Sequence, residues 1–290
     1  MDYTRLGAIE RPKDERDVLL GSVQAPISLP AEFLPDNTWL QRNYQGETAF
    51  CGEHAASHFL AILKRNLNAQ VAQRFTPRYG VIKLKTPSSP VYDGFPVDAG
   101  TTMTAIFKWL QKIGGDDFAP LENDVTLATA TYCDPTAATP AMDTDAGQNQ
   151  IQSYAFGNTD FESLCQYIYQ NGAVLLLIKC DDGFWGTTTP TFTTPKYGHF
   201  IVADGYTADA LRVIDSADPN NAFGVKMIGK QYVTSEFFFE SGTAVDLPPS
   251  IQQIATHPTL SQPEKNTLIQ QILSDIEQAV GLVSKEMGQW

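Results

Sequence analysis

Gln45-Gly46-Glu47-Thr48-Ala49-Phe50-Cys51-Gly52 is the stretch whose reading decides the fold. A cysteine stands six residues after a glutamine, at the head of a run that is apolar at helical spacing: Phe50, Ala55, Ala56, Phe59, Leu60 and Leu63. The spacing predicts a core helix with Cys51 in its first turn. Cysteine nucleophiles act as thiolates, and a helix N-terminus and a neighbouring imidazolium both favour that form. Gly46 and Gly52 let a backbone approach closely. Taken alone, Cys51 reads better as a small apolar residue of a core helix. The Gln45 offset favours the nucleophile, because a carboxamide and the Cys51 backbone N–H together can donate to a developing oxyanion.

The second half supplies partners. Tyr197-Gly198-His199 opens the apolar strand Phe200-Ile201-Val202-Ala203, and Leu211-Arg212-Val213-Ile214 follows, ending at Asp215. Two antiparallel strands joined by a turn bring such opposite ends together. An imidazole there can serve as base, and a carboxylate can fix its tautomer and stabilise the imidazolium. Of the four histidines, His54 and His58 lie on the helix of Cys51 itself and His257 lies in a C-terminal linker, which leaves His199. Asp215 also reads as a turn former before Ser216-Ala217-Asp218-Pro219, and Asp204 and Asp218 are the alternatives to it.

The chain has 290 residues, 42% hydrophobic and 18% charged, which indicates a globular protein with one large domain or two small ones. A net charge of −13, with no basic run longer than Lys64-Arg65, argues against a nucleic-acid partner. No apolar run reaches the ~20 residues that span a bilayer, so no membrane partner is expected. The N-terminus shows no basic-then-apolar signal pattern. The expectation is a cytoplasmic protein, or one that leaves by lysis or within a larger assembly such as a phage particle. Cys51, Cys133, Cys165 and Cys180 show no paired metal spacing and are too sparse for a disulfide scaffold, so no metal and no cofactor are expected.

Residues 1–44, with Pro12, Pro26, Pro30 and Pro35, read as an extended arm laid over the body. A second helix is predicted over roughly 102–113, stopped by Gly114-Gly115. Residues 121–150, rich in Thr, Ala, Asp and Pro, read as a long irregular loop. Asp160 begins a helix that ends at Asn171-Gly172, and the run from Ala173 to Ile178 has strand length. Asp204-Gly205-Tyr206 is read as the connection between the strands bearing His199 and Asp215, and Val225 to Val233 as a further strand. The fold class is thus α+β, with a helical half over about 45–150 and a mostly antiparallel β-rich half over about 151–246. After the linker Leu247-Pro248-Pro249, the segment to 290 carries a capping box at Ser261-Gln262-Pro263-Glu264 and one apolar stripe. It reads as a helix that packs on the body, with a docking or oligomer contact as the alternative.

Gln45 and Cys51 before a helix, Gly198-His199 opening a strand into Asp204-Gly205-Tyr206, and Asp215 beyond it resemble the papain-like cysteine peptidases. Arg11 to Asp17, Leu29-Pro30, Phe75-Thr76-Pro77-Arg78-Tyr79, Asp98-Ala99-Gly100 and Lys112-Ile113-Gly114-Gly115 resemble stretches of short bacterial members. The resemblance covers roughly residues 8–240. It implies two subdomains with an active-site cleft between them. It also implies Cys51 as nucleophile, His199 as base, Asp215 as orienting residue and Gln45 as oxyanion donor. Members of the family usually carry Asn and then Ser-Trp-Gly at the third position, where this chain has Asp215-Ser216-Ala217 and lacks the Trp that shields the Asn–His bond. The Asp and the Cys51-Gly52 pair resemble instead the bacteriocin-processing peptidase domains of export transporters. Gly52, Gly198, Tyr197 and Trp185 are expected along the substrate path, and latency is expected to come from the N-terminal arm or a partner.

Three functions compete at this level. The first is a cysteine endopeptidase acting on a peptide or protein through a thioester. The second is a papain-like structural or binding module of a phage particle or secretion assembly. The third is a Cys-His-Asp acyltransferase of the transglutaminase or arylamine acetyltransferase type, from which the Gln45 offset leans away.

Overall fold

The computed structural model describes residues 7–10, 27–67, 74–116, 121–218, 220 and 224–244. The chain divides after Val245 into two units, and all described residues belong to the first. The C-terminal linker, the apolar stripe that follows it, His257 and the stretch from Arg11 to Asp17 lie outside the described residues.

The helical half is built on α1 (Cys51–Leu67), whose first residue is the cysteine. Glu53 in its first turn and Lys64 and Arg65 in its last complement the helix dipole. Phe59, Leu60 and Ala56 are fully buried, so α1 is a central helix of the core. Helix α2 (Pro77–Lys85) starts on a proline whose missing N–H costs nothing at that position. Helix α3 (Met103–Lys112) is capped by Thr102, whose hydroxyl accepts from the Ala105 N–H, and it buries Ile106, Trp109 and Leu110. Gly114 ends that turn at φ +89°, a conformation that disfavours a side chain.

Residues 121–150 are not one irregular loop. They hold α4 (Thr129–Tyr132), a 3₁₀ turn at Pro135–Ala137 and α5 (Pro140–Gln148). The Thr, Asp and Pro that suggested a loop are capping residues here. Asp134 and Thr139 accept from the N–H groups of Thr136 and Met142, and prolines follow both caps. Only Met142 and Ala146 of α5 are buried, too few to give a periodic signal.

The β-rich half is one six-stranded sheet in the order β1-β6-β2-β3-β4-β5, every pair antiparallel. The strands are β1 (Tyr154–Gly157), β2 (Val174–Cys180), β3 (Tyr197–Tyr206), β4 (Ala210–Ile214), β5 (Val225–Gly229) and β6 (Phe238–Ala244). Between β1 and β2, α6 (Phe161–Asn171) runs from its Asp160 cap to Gly172 in the left-handed conformation. Alternate residues of β2 enter two cores, Leu175 and Leu177 with α1, Val174, Leu176 and Ile178 with α6. That explains its continuous apolar run. Asp204-Gly205-Tyr206 is not a turn: β3 continues through it to Tyr206 with a register shift between Ala203 and Gly205. Asp204 stays in the strand because its carboxylate is held by Arg212 of β4 at 2.8 and 2.9 Å and by Asn37 at 3.0 Å.

Candidate active site

Cys51 heads α1, His199 is the third residue of β3, and Asp215 follows the last residue of β4. Val202 pairs with Ile214, so Asp215 falls one step beyond the ladder and diagonally across from His199. The imidazole Nε2 lies 2.8 Å from Asp215 Oδ1. The same oxygen accepts the Ala217 N–H at 2.8 Å, which fixes the carboxylate in its turn. Nδ1 makes no hydrogen bond of good geometry, and Cys51 is the other group acting on the ring. Burial alone would favour the neutral ring; Asp215 and Cys51 outweigh it and raise the His199 pKa from 6.5 to about 9. For Asp215, burial pushes upward, but His199, Lys226 and the Ala217 N–H together hold it below the ordinary value.

Gln45 is tied to the turn that carries Asp215. Its backbone N–H donates to Ser216 O at 2.9 Å, and its Oε1 accepts from the Ser216 hydroxyl at 2.7 Å. Nε2 donates one hydrogen to Thr48 O at 3.1 Å. A carboxamide has two, so one N–H remains for another acceptor. Gly46 beside it sits at φ +62°, and a Cβ there would meet Val125 Cγ2 at 2.9 Å. The Cys51 N–H, at the first helical position, has no acceptor within its own helix.

The expected substrate-path residues separate. Gly198 faces the arm, for a Cβ on it would lie 2.8 Å from Ala8 O. Gly52 does not line a groove: a Cβ there would meet Ile106 and Thr101 side chains at 2.8 Å, so its smallness serves the packing of α1 on α3. Tyr197 points to the outer rim, where its hydroxyl donates to Asp182 at 3.1 Å and Lys196 stacks over its ring. Trp185 is half-buried with its ring centroid 5.5 Å from that of His199, and Phe184 is 5.9 Å away. The aromatic cover missing after Ser216 is thus supplied from the loop before β3.

Other candidates fall into structural roles. His54 and His58 are buried against Asn43, whose N–H donates to His58 Nε2 at 2.7 Å, and burial lowers both to about 3. Asp204 is the partner of Arg212. Asp218 pairs with Lys226, a residue the sequence reading passed over. Its signal was the alternation in β5, which puts Lys226 on the inward face with Ile228. All four cysteines are buried and unpaired, and among the described residues no His, Cys, Asp and Glu cluster fits a metal.

Cys51, His199, Asp215 and Gln45 are each 0% exposed, so no substrate reaches the thiol in this conformation. The arm contributes to that closure. Gly7 and Ala8 pass between Ala49, two residues before Cys51, and Gly198, one residue before His199. Gly7 O accepts from the Thr101 N–H at 2.8 Å, and the Ile9 N–H donates to Thr101 O at 3.0 Å. Ala8 packs on the cluster that contains Cys51, and Glu10 pairs with Lys179. A surface cavity of about 470 Å³ lined by Lys83, Thr86, Pro90 and Lys112 carries none of the four site residues.

These elements and this site define a papain-like fold, the fold of papain-like cysteine proteases. Among solved structures the chain is similar to xylellain, a cysteine protease from Xylella fastidiosa, with a TM-score of 0.66 at 18% identity over 84% of this chain and 97% of that one. Procathepsin B from Trypanosoma congolense follows with a TM-score of 0.61 at 11% identity, covering 84% of this chain and 87% of that one. Procathepsin L 3 of Tenebrio molitor larval midgut gives 0.58 at 13% identity, covering 83% and 76%. No protein-family model and no curated protein sequence matches the chain.

Proposed function

We propose that the protein is a cysteine endopeptidase, held latent by its own N-terminal arm. The observation that carries the reading is the buried line of groups in which Asp215 Oδ1 holds His199 Nε2 and leaves Nδ1 for Cys51. In this mechanism the Cys51 thiol gives its proton to His199 Nδ1, and the sulfur attacks a peptide carbonyl carbon. The oxyanion is met by the Cys51 N–H and the spare Gln45 Nε2–H. The imidazolium returns its proton to the leaving amine, which departs and leaves a thioester. Water, deprotonated by the neutral ring, then releases the acid and restores the thiol. Asp215 holds the neutral ring in its Nε2–H tautomer and stabilises the imidazolium when it forms.

The test is covalent labelling of the full chain under reducing conditions with an epoxide thiol inhibitor, followed by peptide mapping, in parallel with a peptide-library digest. Selective labelling of Cys51 that disappears in His199→Asn supports the proposal. Equal labelling of all thiols after unfolding, and none on Cys51 in the folded or arm-displaced protein, refutes it.

A further inference from the structure

Lys226 is a fully buried lysine with no place in the mechanism above. Its ammonium lies 3.6 Å from Asp215 Oδ2 and 3.0 Å from Asp218 Oδ2, donates to Thr187 O at 3.0 Å, and sits 4.9 Å from the Phe184 ring centroid. Asp215 Oδ2 itself makes no hydrogen bond. The carboxylate therefore has two faces: Oδ1 is given to His199 and the Ala217 N–H, while Oδ2 faces the Lys226 ammonium at 3.6 Å. Asp218 is fixed in turn by the Gly186 and Asn220 N–H groups at 2.8 and 3.0 Å. Gly186 follows Trp185, so the same anchor holds the aromatic cover over the imidazole.

We propose that Lys226 is a positioning residue for the peptidase reaction, keeping Asp215 ionised and aimed at His199 through the states in which the imidazole is neutral. The reasoning rests on the function proposed above. A buried carboxylate needs a counter-charge. While His199 is an imidazolium it supplies one; once it has protonated the leaving amine it does not. A neutral Asn in that position would carry no such requirement, whereas Asp215 does. Lys226 fills it from β5, on the side away from the reacting atoms. The other groups facing this network are Arg42, whose guanidinium donates to the backbone oxygens of Asp215 and Asp218, His58, Cys180 and Cys51. Burial holds His58 neutral, and burial likewise raises the Cys180 thiol well above its ordinary value. Apart from Lys226 and Arg42, none of these is a standing cation.

The experiment is an NMR titration of the full chain labelled with carbon-13 histidine, the His199 signal being identified by its loss in His199→Asn. In Lys226→Met the midpoint of His199 should rise by about one pH unit or more, because a carboxylate relieved of its cation holds the imidazolium more tightly. Lys226→Arg should return it close to the wild type. On an Asp215→Asn background the Lys226→Met change should be less than half as large. If Lys226→Met does not fold, Lys226→Met with Asp218→Asn removes the ion pair as a unit, and the midpoint should again rise. An unchanged midpoint in a folded variant, or an equal change without Asp215, overturns the proposal. Failure of the function on which it rests is read separately, by the absence of thiol-inhibitor label on Cys51 in the folded, arm-displaced protein.

Discussion

Replacing Gly7 by valine should switch the thiol from protected to reactive. A Cβ on Gly7 would run into Ala49 O and Gly100 Cα, both backbone atoms that cannot rotate aside. The arm must then leave its track and lose its two hydrogen bonds to Thr101. Each backbone hydrogen bond contributes about 1 kcal/mol net, so closure weakens by about 2 kcal/mol. That raises the open population about 30-fold, since each 1.4 kcal/mol is a factor of ten. The assay is the second-order rate at which a small alkylating agent modifies Cys51 under reducing conditions, read by peptide mapping. Local opening that is fast relative to alkylation makes that rate proportional to the open population. Glu10→Ala is the control, because its exposed pair with Lys179 should change the rate less than about fivefold. A folded Gly7→Val protein, with wild-type circular dichroism, that is alkylated at the wild-type rate would refute the reasoning: the arm would then be no barrier to the thiol.

Four further outcomes are expected. In arm-displaced protein, kcat/KM should fall as pH rises through about 9, the point at which the His199 imidazolium loses the proton it must give to the leaving amine. Asp215→Asn should move that limb to lower pH, measured with a small peptide substrate. Gln45→Ala should lower kcat about 100-fold with little change in KM, since in the proposed mechanism its spare N–H would meet charge that exists only in the transition state. Glu53→Met should remove a pH dependence of stability. Burial raises Glu53 from 4.5 to about 7, so its contribution is present below 4.5 and is lost as pH rises through 7, a change of about 3 kcal/mol. Urea unfolding of wild type and variant at pH 5 and pH 8 reads that difference directly, and parallel curves at the two pH values would count against it.

What the sequence revealed and what it hid follow from range. Helices α1, α3 and α6 were legible because their caps, apolar stripes and glycine stops are local: Thr102 before α3, Asp160 and Gly172 around α6. The strands β2, β3 and β4 were legible as apolar runs. β1 and β6 were not, because Tyr154–Gly157 and Phe238–Ala244 are mixed in polarity and become strands only by pairing with each other and with β2. Helix α2 hid behind Pro77, which reads as a loop until the residues after it are seen to bury Tyr79, Val81 and Ile82. At the site, Gln45, Cys51, His199 and Asp215 could be named from order and offset. Trp185 could be named but not placed, since loop geometry decides that it lies over His199. Lys226 went unnamed and Ser216 was read only as a turn residue, because a lysine in a strand and a serine in a turn have no local mark of burial.

If the proposed function holds, latency and substrate binding would meet at Thr101. Its N–H and C=O, just before the cap of α3, are the groups that hold the arm. On that reading a peptide taking the same groove would find the same donor and acceptor free only when the arm is away. Substrate and arm would then compete for one pair of backbone groups, and the apparent KM of the full chain would contain the arm's opening equilibrium as a factor. The same displacement would bring water toward the His199–Asp215 pair, whose hydrogen bond is strengthened by dryness. A substrate that filled the groove as the arm does would restore that dryness at the moment of reaction. Glycine at positions 100 and 198 fits this reading: a Cβ on Gly100 would overlap the Gly7 backbone and one on Gly198 would lie 2.8 Å from Ala8 O, so two side-chain-free walls make room for the extended backbone of the arm.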